Sequence, residues 1–244
     1  MRYLILFMFL VGIFVLGSRS CGNFSIFGFG GVRGEGPLKT ETRDVRDFHT
    51  VDVALPGQIE ISVSDHFAVD VQAQENLLPL LKTEVENGEL KIYFDQNVSD
   101  VKDLKVQISA PAFDGLSLAG SGTMKVLTPL HSERLELSIG GSGTIDLPQA
   151  DVNNLKCSIA GSGDLHVGGK AEAVEYSIAG SGDIAAKALL ANTGKAAISG
   201  SGTVTCNVAQ TLKAEIAGSG DIYYTGSPAV DTDIAGSGKV KRVD

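Results

Sequence analysis

One phrase recurs along the chain: it reads YSIAGSGDI at residues 176–184, LSIGGSGTI at 137–145 and CSIAGSGDL at 157–165. Its centre, Gly-Ser-Gly, occurs seven times, and successive copies begin 18 to 21 residues apart. A fixed period of about 20 residues is typical of a solenoid, in which each repeat forms one turn of a coil. A phosphate-binding loop needs such a phrase only once, so the repetition indicates a structural role.

Apolar and polar residues alternate on both sides of each triplet. Stretches such as LKCSI (155–159) and VEYSI (174–178) place an apolar residue at every second position, as a strand with one buried face does. The sequence therefore predicts an all-β fold, a right-handed parallel β-helix (solenoid) with about 18–21 residues per turn. Two inward columns are predicted: Leu118, Ile139, Ile159, Ile178, Ile198, Ile216 and Ile234 before the triplets, and Met124, Ile145, Leu165, Ile184, Val204, Ile222 and Val240 after them.

The glycines are predicted to form a corner in every turn. A coil of strands must bend sharply at the same place each time, and glycine allows positive φ and close backbone approach without a Cβ clash. The predicted corner residues are Gly120, Gly122, Gly141, Gly143, Gly161, Gly163, Gly180, Gly182, Gly200, Gly202, Gly218, Gly220, Gly236 and Gly238.

The N-terminus has the features of an export signal. In residues 1–20, Arg2 is followed by a long apolar run and by small residues before Cys21. The run is short for a transmembrane anchor, which takes about 20 apolar residues, although an anchor is the alternative. Cys21 occupies the position that receives lipid in bacterial lipoproteins; ordinary secretion with a spare thiol is the other interpretation. Residues 21–45 then form a glycine-rich tether.

Residues 46–110 read as less regular strands, with a turn at Asn87-Gly88 and a brief helical turn within 76–81. We expect residues 46–244 to form one β-helix domain. In it, residues 46–110 are irregular first turns that cap the open end of the coil, and residues 111–244 are the regular repeats. A separate cap is the alternative.

Charge and residue patterns argue against most chemistry. The formal net charge is −9 and becomes −11 without Arg2 and Arg19, so the surface repels nucleic acid and anionic lipid. We therefore expect no nucleic-acid partner, and membrane contact through a lipid anchor alone. The serines lie in G-S-G and not in the G-x-S-x-G of a nucleophile elbow. We predict no cofactor, no metal site and no catalytic residue. The four histidines are scattered without metal spacing and are expected on the surface: His49, His66, His131 and His166.

Three aspartates directly follow a triplet and are predicted to form a surface ladder that could hold a ligand: Asp164, Asp183 and Asp221. Threonine or lysine takes this place in the other four turns, which leaves too few oxygens for calcium on every turn. Asp164 and Asp183 would lie about 5 Å apart along the axis, as the carboxylates of retaining glycosidases do. However, no cleft, basic partner or tryptophan accompanies them.

The two remaining cysteines, Cys157 and Cys206, are predicted to be free and buried. They belong to turns two apart and to different strands, about 10 Å apart along the axis. A disulfide needs Cα atoms within about 7 Å. Each lies two residues from a member of an apolar column, Cys157 from Ile159 and Cys206 from Val204, so both side chains should point inward.

The chain resembles a bacterial family of secreted domains, the head GIN domain or autotransporter adhesin head domain. RDFHTVDVALPGQIEISV (46–63), NLLPLLKTEVENGELKIYF (76–94) and the repeated IAGSGD with YYTGSPAV (223–230) carry the resemblance. It implies a right-handed β-helix on an exported, often lipid-anchored protein without known catalytic residues.

Taken together, residues and resemblance predict a non-catalytic β-solenoid of the cell envelope. It would be an outer-membrane lipoprotein or lie in the periplasm or at the cell surface, and would contact a glycan or an envelope protein. The alternatives are a polysaccharide-active enzyme (hydrolase or lyase) and a purely structural spacer.

Overall fold

Strands make up most of the structure. The computed structural model describes residues 31–244, and within that range it contains nineteen β-strands, one 3-10 turn and no α-helix. The predicted signal peptide and Cys21 lie outside the described residues. The strands are β1 Val32–Arg33, β2 Leu38–Arg43, β3 Thr50–Ala54, β4 Gln58–Val63, β5 Ala68–Gln74, β6 Leu81–Glu86, β7 Glu89–Phe94, β8 Val98–Ser99, β9 Lys105–Ala110, β10 Gly115–Gly120, β11 Thr123–Val126, β12 Leu130–Gly141, β13 Thr144–Gly161, β14 Asp164–Gly180, β15 Asp183–Gly200, β16 Thr203–Gly218, β17 Asp221–Thr225, β18 Ala229–Gly236 and β19 Lys239–Arg242, and the 3-10 turn is Leu78–Leu80.

From β10 onwards the strands stack in parallel and in register. Ile139 pairs with Ile159, Ile159 with Ile178, and Ile178 with Ile198, so equivalent residues of successive turns lie on top of one another. The coil makes about six turns. The predicted parallel β-helix is therefore confirmed.

Each turn has three faces. Face A runs into a Gly-Ser-Gly triplet (175–180 in one turn), face B leaves the triplet (164–167), and face C returns to the next face A (169–174). In β13 to β16 one continuous strand bends through faces B, C and A. The register shifts where face B passes into face C, for example between Leu147 and Ala150, because the return segments differ in length.

The two predicted apolar columns form the core. From Leu118 to Ile222 every member of both columns is at most 2% exposed. The exceptions lie in the last turn, where Ile234 is 41% exposed and Val240 is half-buried. No further turn among the described residues stacks on them, so their outer side is uncovered.

The glycine corners hold neighbouring turns together. The first glycine of every triplet has a positive φ, from 107° at Gly120 to 139° at Gly236. The serine N–H of each later triplet donates a hydrogen bond to the first glycine one turn earlier; Ser181 N lies 2.8 Å from the carbonyl oxygen of Gly161. A Cβ on Gly180 would collide with that oxygen. A Cβ on the third residue of a triplet would meet both a backbone carbonyl oxygen and a core side chain.

We expect the cost of adding one methyl group to depend on the corner position. Gly180→Ala combines positive φ with a collision against Gly161, and Gly120→Ala has the positive φ without any atom within 4 Å of its Cβ. One strained residue costs about 1–3 kcal/mol, so Gly120→Ala should lose that much free energy of unfolding and Gly180→Ala more. Gly140→Ala is the control, because its φ is ordinary and its Cβ also meets nothing within 4 Å. Urea denaturation measures all three, and equal stabilities would contradict the corner geometry.

The N-terminal end is closed by strands that reverse direction. β7 pairs in parallel with β3, and β9 with β4, so the turn β7–β9 lies outside the turn β3–β4 although it comes later in the chain. Three antiparallel strands then cover it: β6 on β7, β5 on β9, and β2 on β5. The predicted turn Asn87-Gly88 joins β6 to β7 with φ of 52° and 79°. The apolar core runs through cap and coil as one cluster.

The predicted tether of residues 21–45 requires a correction over its described part. β1 pairs with β8, and β2 forms the outermost strand of the cap through six paired residues with β5. Glu35 N and Asn76 Oδ1 add a hydrogen bond of 2.8 Å. Glycine content suggested a free linker, but backbone pairing with the cap orders this segment from residue 31 onwards.

The prediction of two free, buried thiols is confirmed for Cys157 and Cys206. Burial raises the pKa of Cys206 to about 12 and that of Cys157 further. Tyr176 stacks on Cys157 and is the largest fully buried side chain. Its hydroxyl has no hydrogen-bond partner. Burial, together with the two nearby thiols, raises its pKa well above the ordinary value.

Tyr176→Phe should stabilise the protein. A buried polar group without a partner costs about 1–3 kcal/mol, and the substitution removes that group while keeping the ring. We expect a gain of about 1 kcal/mol in the free energy of unfolding, measured by urea denaturation. Tyr223→Phe is the matched control, because the Tyr223 hydroxyl donates to Asp221 at 3.0 Å and its removal should bring no gain. A loss of stability in Tyr176→Phe would show that the hydroxyl is satisfied.

Candidate ligand-binding groove

A groove of about 530 Å³ runs along the coil where face C meets face A. One wall consists of the last outward residues of face C, among them Arg134, Asn154 and Thr193. The other consists of the first outward residues of face A. Leu155 and Val174, which belong to the core, lie at its floor. Because the strands are in register, the same positions line the groove in four consecutive turns.

The wall on face A carries charges of alternating sign. Glu136, Lys156, Glu175 and Lys195 pair in succession along the stack. Lys156 Nζ lies 2.6 Å from Glu136 Oε1, and Lys195 Nζ lies 3.4 Å from Glu175 Oε1. Like charges directly opposite each other destabilise a sheet, so a column stacked one turn on the next is best occupied by alternating signs. These pairs are exposed, and each contributes at most about 1 kcal/mol.

Arg134 differs from the lysines of the groove. Within residues 31–244 its guanidinium forms no salt bridge, whereas Lys156 and Lys195 are each paired with a glutamate. An unpaired guanidinium presents a planar set of donors that fits a carboxylate, sulfate or phosphate group. Among the described residues, the groove therefore offers one unpaired anion-binding group beside an alternating row of donors and acceptors, about 4.8 Å apart along the axis.

The predicted aspartate ladder lies on face B, on the other side of the corner from face A. Asp164 pairs with Asp183, but Thr203 separates Asp183 from Asp221. Asp183 Oδ1 accepts a hydrogen bond from Thr203 N at 3.0 Å, and Asp221 Oδ1 one from Lys239 N at 3.2 Å. These two carboxylates thus bind the next turn of the chain itself.

Two side chains near Asp221 also bind its carboxylate. Lys239 Nζ lies 3.3 Å from its Oδ2, and the Tyr223 hydroxyl donates to the same oxygen at 3.0 Å. Partial burial raises its pKa, but these hydrogen bonds and the lysine charge outweigh burial and lower it overall. No group of three or more His, Cys, Asp and Glu suited to a metal ion occurs in the described part of the chain.

The serines and histidines that could have supported catalysis do not form a cluster. The serines of all seven triplets are exposed. The four histidines are likewise exposed, as predicted. Ser64 and His66 form a hydrogen bond of 3.0 Å, but this is a local contact between neighbours in the turn after β4.

Sequence reasoning missed the groove because the return segments are irregular. Its walls meet only after the register shift between faces B and C is known. The signal was nevertheless present in the sequence. Aligning the triplets places Glu136, Lys156, Glu175 and Lys195 five residues before the first glycine of each triplet, and the alternation of charge can then be read directly.

The comparisons with known proteins agree with this architecture. A family model described as "Putative auto-transporter adhesin, head GIN domain" matches residues 47–228. The chain belongs to this family. No curated protein sequence is significantly similar to it.

Solved structures share the head GIN fold over nearly their whole length. A "putative adhesin" from Bacteroides fragilis is 26% identical, covers 87% of this chain and 100% of its own, and has a TM-score of 0.82. A "putative lipid binding protein" from Parabacteroides distasonis is 28% identical, with coverage of 87% and 99% and a TM-score of 0.75. A "putative adhesin" from the same species is 25% identical, with the same coverage and a TM-score of 0.73.

The names of the head GIN family and of these three structures describe adhesion or lipid binding, and none describes an enzyme. Across residues 31–244 no helix is long and apolar enough to cross a bilayer.

Proposed function

We propose that this head GIN protein is a non-catalytic contact module of the bacterial cell envelope, and that its groove binds a linear acidic glycan. The alternating row of donors and acceptors that begins beside Arg134 supports this proposal most directly. A polymer with repeating polar groups could lie along the axis and meet equivalent positions turn after turn. Arg134 would then bind a carboxylate or sulfate of the glycan.

Charge selects the acidic class of ligand. Three cationic and two anionic side chains line the groove: Arg134, Lys156, Lys195, Glu136 and Glu175. The groove is thus locally positive on a chain of formal net charge −9. An acidic chain would be repelled by most of the surface and attracted here, which favours one site and one orientation.

Catalysis in the groove is disfavoured by its ion pairs. Glu136 and Glu175 each form an ion pair with a lysine, and Lys156 separates them in the stack, so the groove holds no two adjacent carboxyl groups. Asp52 is a carboxyl group whose pKa is raised, chiefly by burial, but it lies in the first coil turn beside Ser117 and not among the lining residues. The relative named for lipid binding suggests a second ligand class. However, the apolar side chains at its floor, Leu155 and Val174, are only 2% and 4% exposed, so they offer a lipid chain little surface.

A glycan array with the mature protein tests the proposal, followed by titration calorimetry on any hit. We expect binding to acidic linear glycans and about tenfold weaker binding by the double variant R134Q/K195Q, equivalent to about 1.4 kcal/mol. K102Q/K125Q is the control, because it makes the same change of charge on the cap and on face B. No glycan hit, or equal weakening by both variants, would contradict the groove. Shortened glycan products would favour an enzyme.

We further propose that the protein is exported and held to a membrane by lipid on Cys21. The apolar run before Cys21 and the family's description support this. Mass spectrometry of the native N-terminus should find Cys21 as the first residue, carrying lipid. An unmodified Cys21 would overturn the anchor but keep export, and a chain that starts at Met1 would overturn both.

A further inference from the structure

The last turn of the coil has an uncovered edge. Among the described residues, β18 pairs only with β16, and β19 only with β17, so one side of each strand has free backbone donors and acceptors. The core is also uncovered there: Ile216 is 2% exposed, and Ile234, one turn later in the same column, is 41% exposed. Exposed strand edges with apolar residues are sites at which another chain can pair.

The charges of the two edge strands are opposite. On β18 the outward residues include Asp231 and Asp233, which pair with Lys213 and Glu215 of the turn before. On β19 the outward residues are Lys239 and Lys241. One edge is therefore acidic and the other basic, and they meet at the glycine corner 236–238. A surface with complementary halves can recognise a second copy of itself.

Asp233 and Lys241 differ from the other two of these residues. Lys239 is already paired with Asp221 at 3.3 Å, and Asp231 stacks on Lys213, an opposite charge. Within residues 31–244, Asp233 and Lys241 have no salt bridge, and Asp233 stacks on Glu215, a like charge. A cation on the outer side of Asp233 would relieve this repulsion. Asp233 and Lys241 are each four residues from Ser237, on opposite sides of the corner.

We infer that the C-terminal turn pairs with that of a second copy, through a two-fold axis at the corner Gly236–Gly238. This axis lays β18 of one copy antiparallel to β19 of the other. Residues equally far from Ser237 then face each other: Lys241 meets Asp233 of the second copy on the outside, and Val240 meets Ile234 of the second copy inside. Both apolar ends of the core become covered, and Asp233 and Lys241 each gain a partner of opposite charge.

Other end-to-end arrangements lack this complementarity. A two-fold axis through face A would pair β18 of one copy with β18 of the other and place their aspartates opposite each other. An axis through face B would do the same with the lysines of β19. Like charges opposite each other destabilise a sheet. Pairing with the N-terminal cap would meet the alternating charges of β2, LKTETR, and would propagate into a filament instead of closing at two copies.

The dimer places the two N-terminal caps at its far ends. If each copy is anchored near its N-terminus, as proposed above, the two anchors point away from each other, and the dimer can bridge two membranes. This bridging role rests on the proposed anchoring, whereas the dimer itself does not. Bridging of two membranes by identical copies would make the protein a homophilic contact module.

Charge reversal tests the pairing without disturbing the core. Sedimentation equilibrium of the mature protein should show a monomer–dimer equilibrium. D233K and K241D should each weaken the dimer at least tenfold, because each places like charges opposite one another. The double variant D233K/K241D should restore it, and so should an equimolar mixture of the two single variants. Melting temperatures at least as high as that of the wild type confirm that the variant monomers are folded.

Two results would overturn the pairing: a wild-type protein that stays monomeric at millimolar concentration, or single variants that dimerise as well as the wild type. Strengthening by D233K would indicate the face A axis instead. Bridging is tested with beads that carry the protein through its N-terminus. Wild-type beads should cluster, and D233K beads should cluster only with K241D beads. Dimers in solution without bead clustering would overturn bridging alone, and the N-terminal mass spectrum reports on the anchor separately.

Discussion

The hydrogen bond from a serine N–H to a glycine carbonyl one turn earlier fixes the geometry of the whole coil. It recurs at 2.8–2.9 Å from Ser142 to Ser237. The turns can approach this closely only because neither glycine of a triplet carries a side chain. From Gly141 onwards, a Cβ on the first would meet the carbonyl oxygen one turn earlier. A Cβ on the second would meet a backbone carbonyl and the core; on Gly182 it would collide with the carbonyl oxygen of Gly163 and lie 2.8 Å from Ile159 Cγ2. Both glycines are therefore needed in every turn, and the repeated phrase follows from this constraint.

The register at the corner determines which residues stack on each other throughout the coil. Once Gly161 lies over Gly141, Ile159 lies over Ile139 and Lys156 over Glu136. Inside, identical residues in a column are favourable because aliphatic side chains pack on their like. Outside, identical charges repel each other, and the four stacked charges that line the groove, from Glu136 to Lys195, alternate in sign; the next residue of the column, Lys213, ends the alternation. The groove is a result of the same rule, since its polar walls are columns held in register by the corners.

The sequence predicted the parts of the structure that repeat. The inward columns, the corner positions and the inward direction of Cys157 and Cys206 all follow from a period and a parity, which can be read from one turn and applied to the rest. The cap could not be derived in this way. That β7 and β9 lie outside β3 and β4 depends on long-range pairing without a period. The order of residues 31–45 depends on the same pairing, and the groove depends on register shifts in returns of unequal length.

A coil in which every turn fits the next has no built-in reason to stop. At the N-terminal end the chain reverses strand direction, so that β2, β5 and β6 cover the coil with antiparallel strands. At the other end of the described residues β18 and β19 keep the parallel geometry, and Ile234, the last member of its core column, is 41% exposed. A turn that fits its neighbours also fits turns of another molecule. Backbone pairing alone would accept many of them, and the signs of the charges on Asp233 and Lys241 decide which one is accepted.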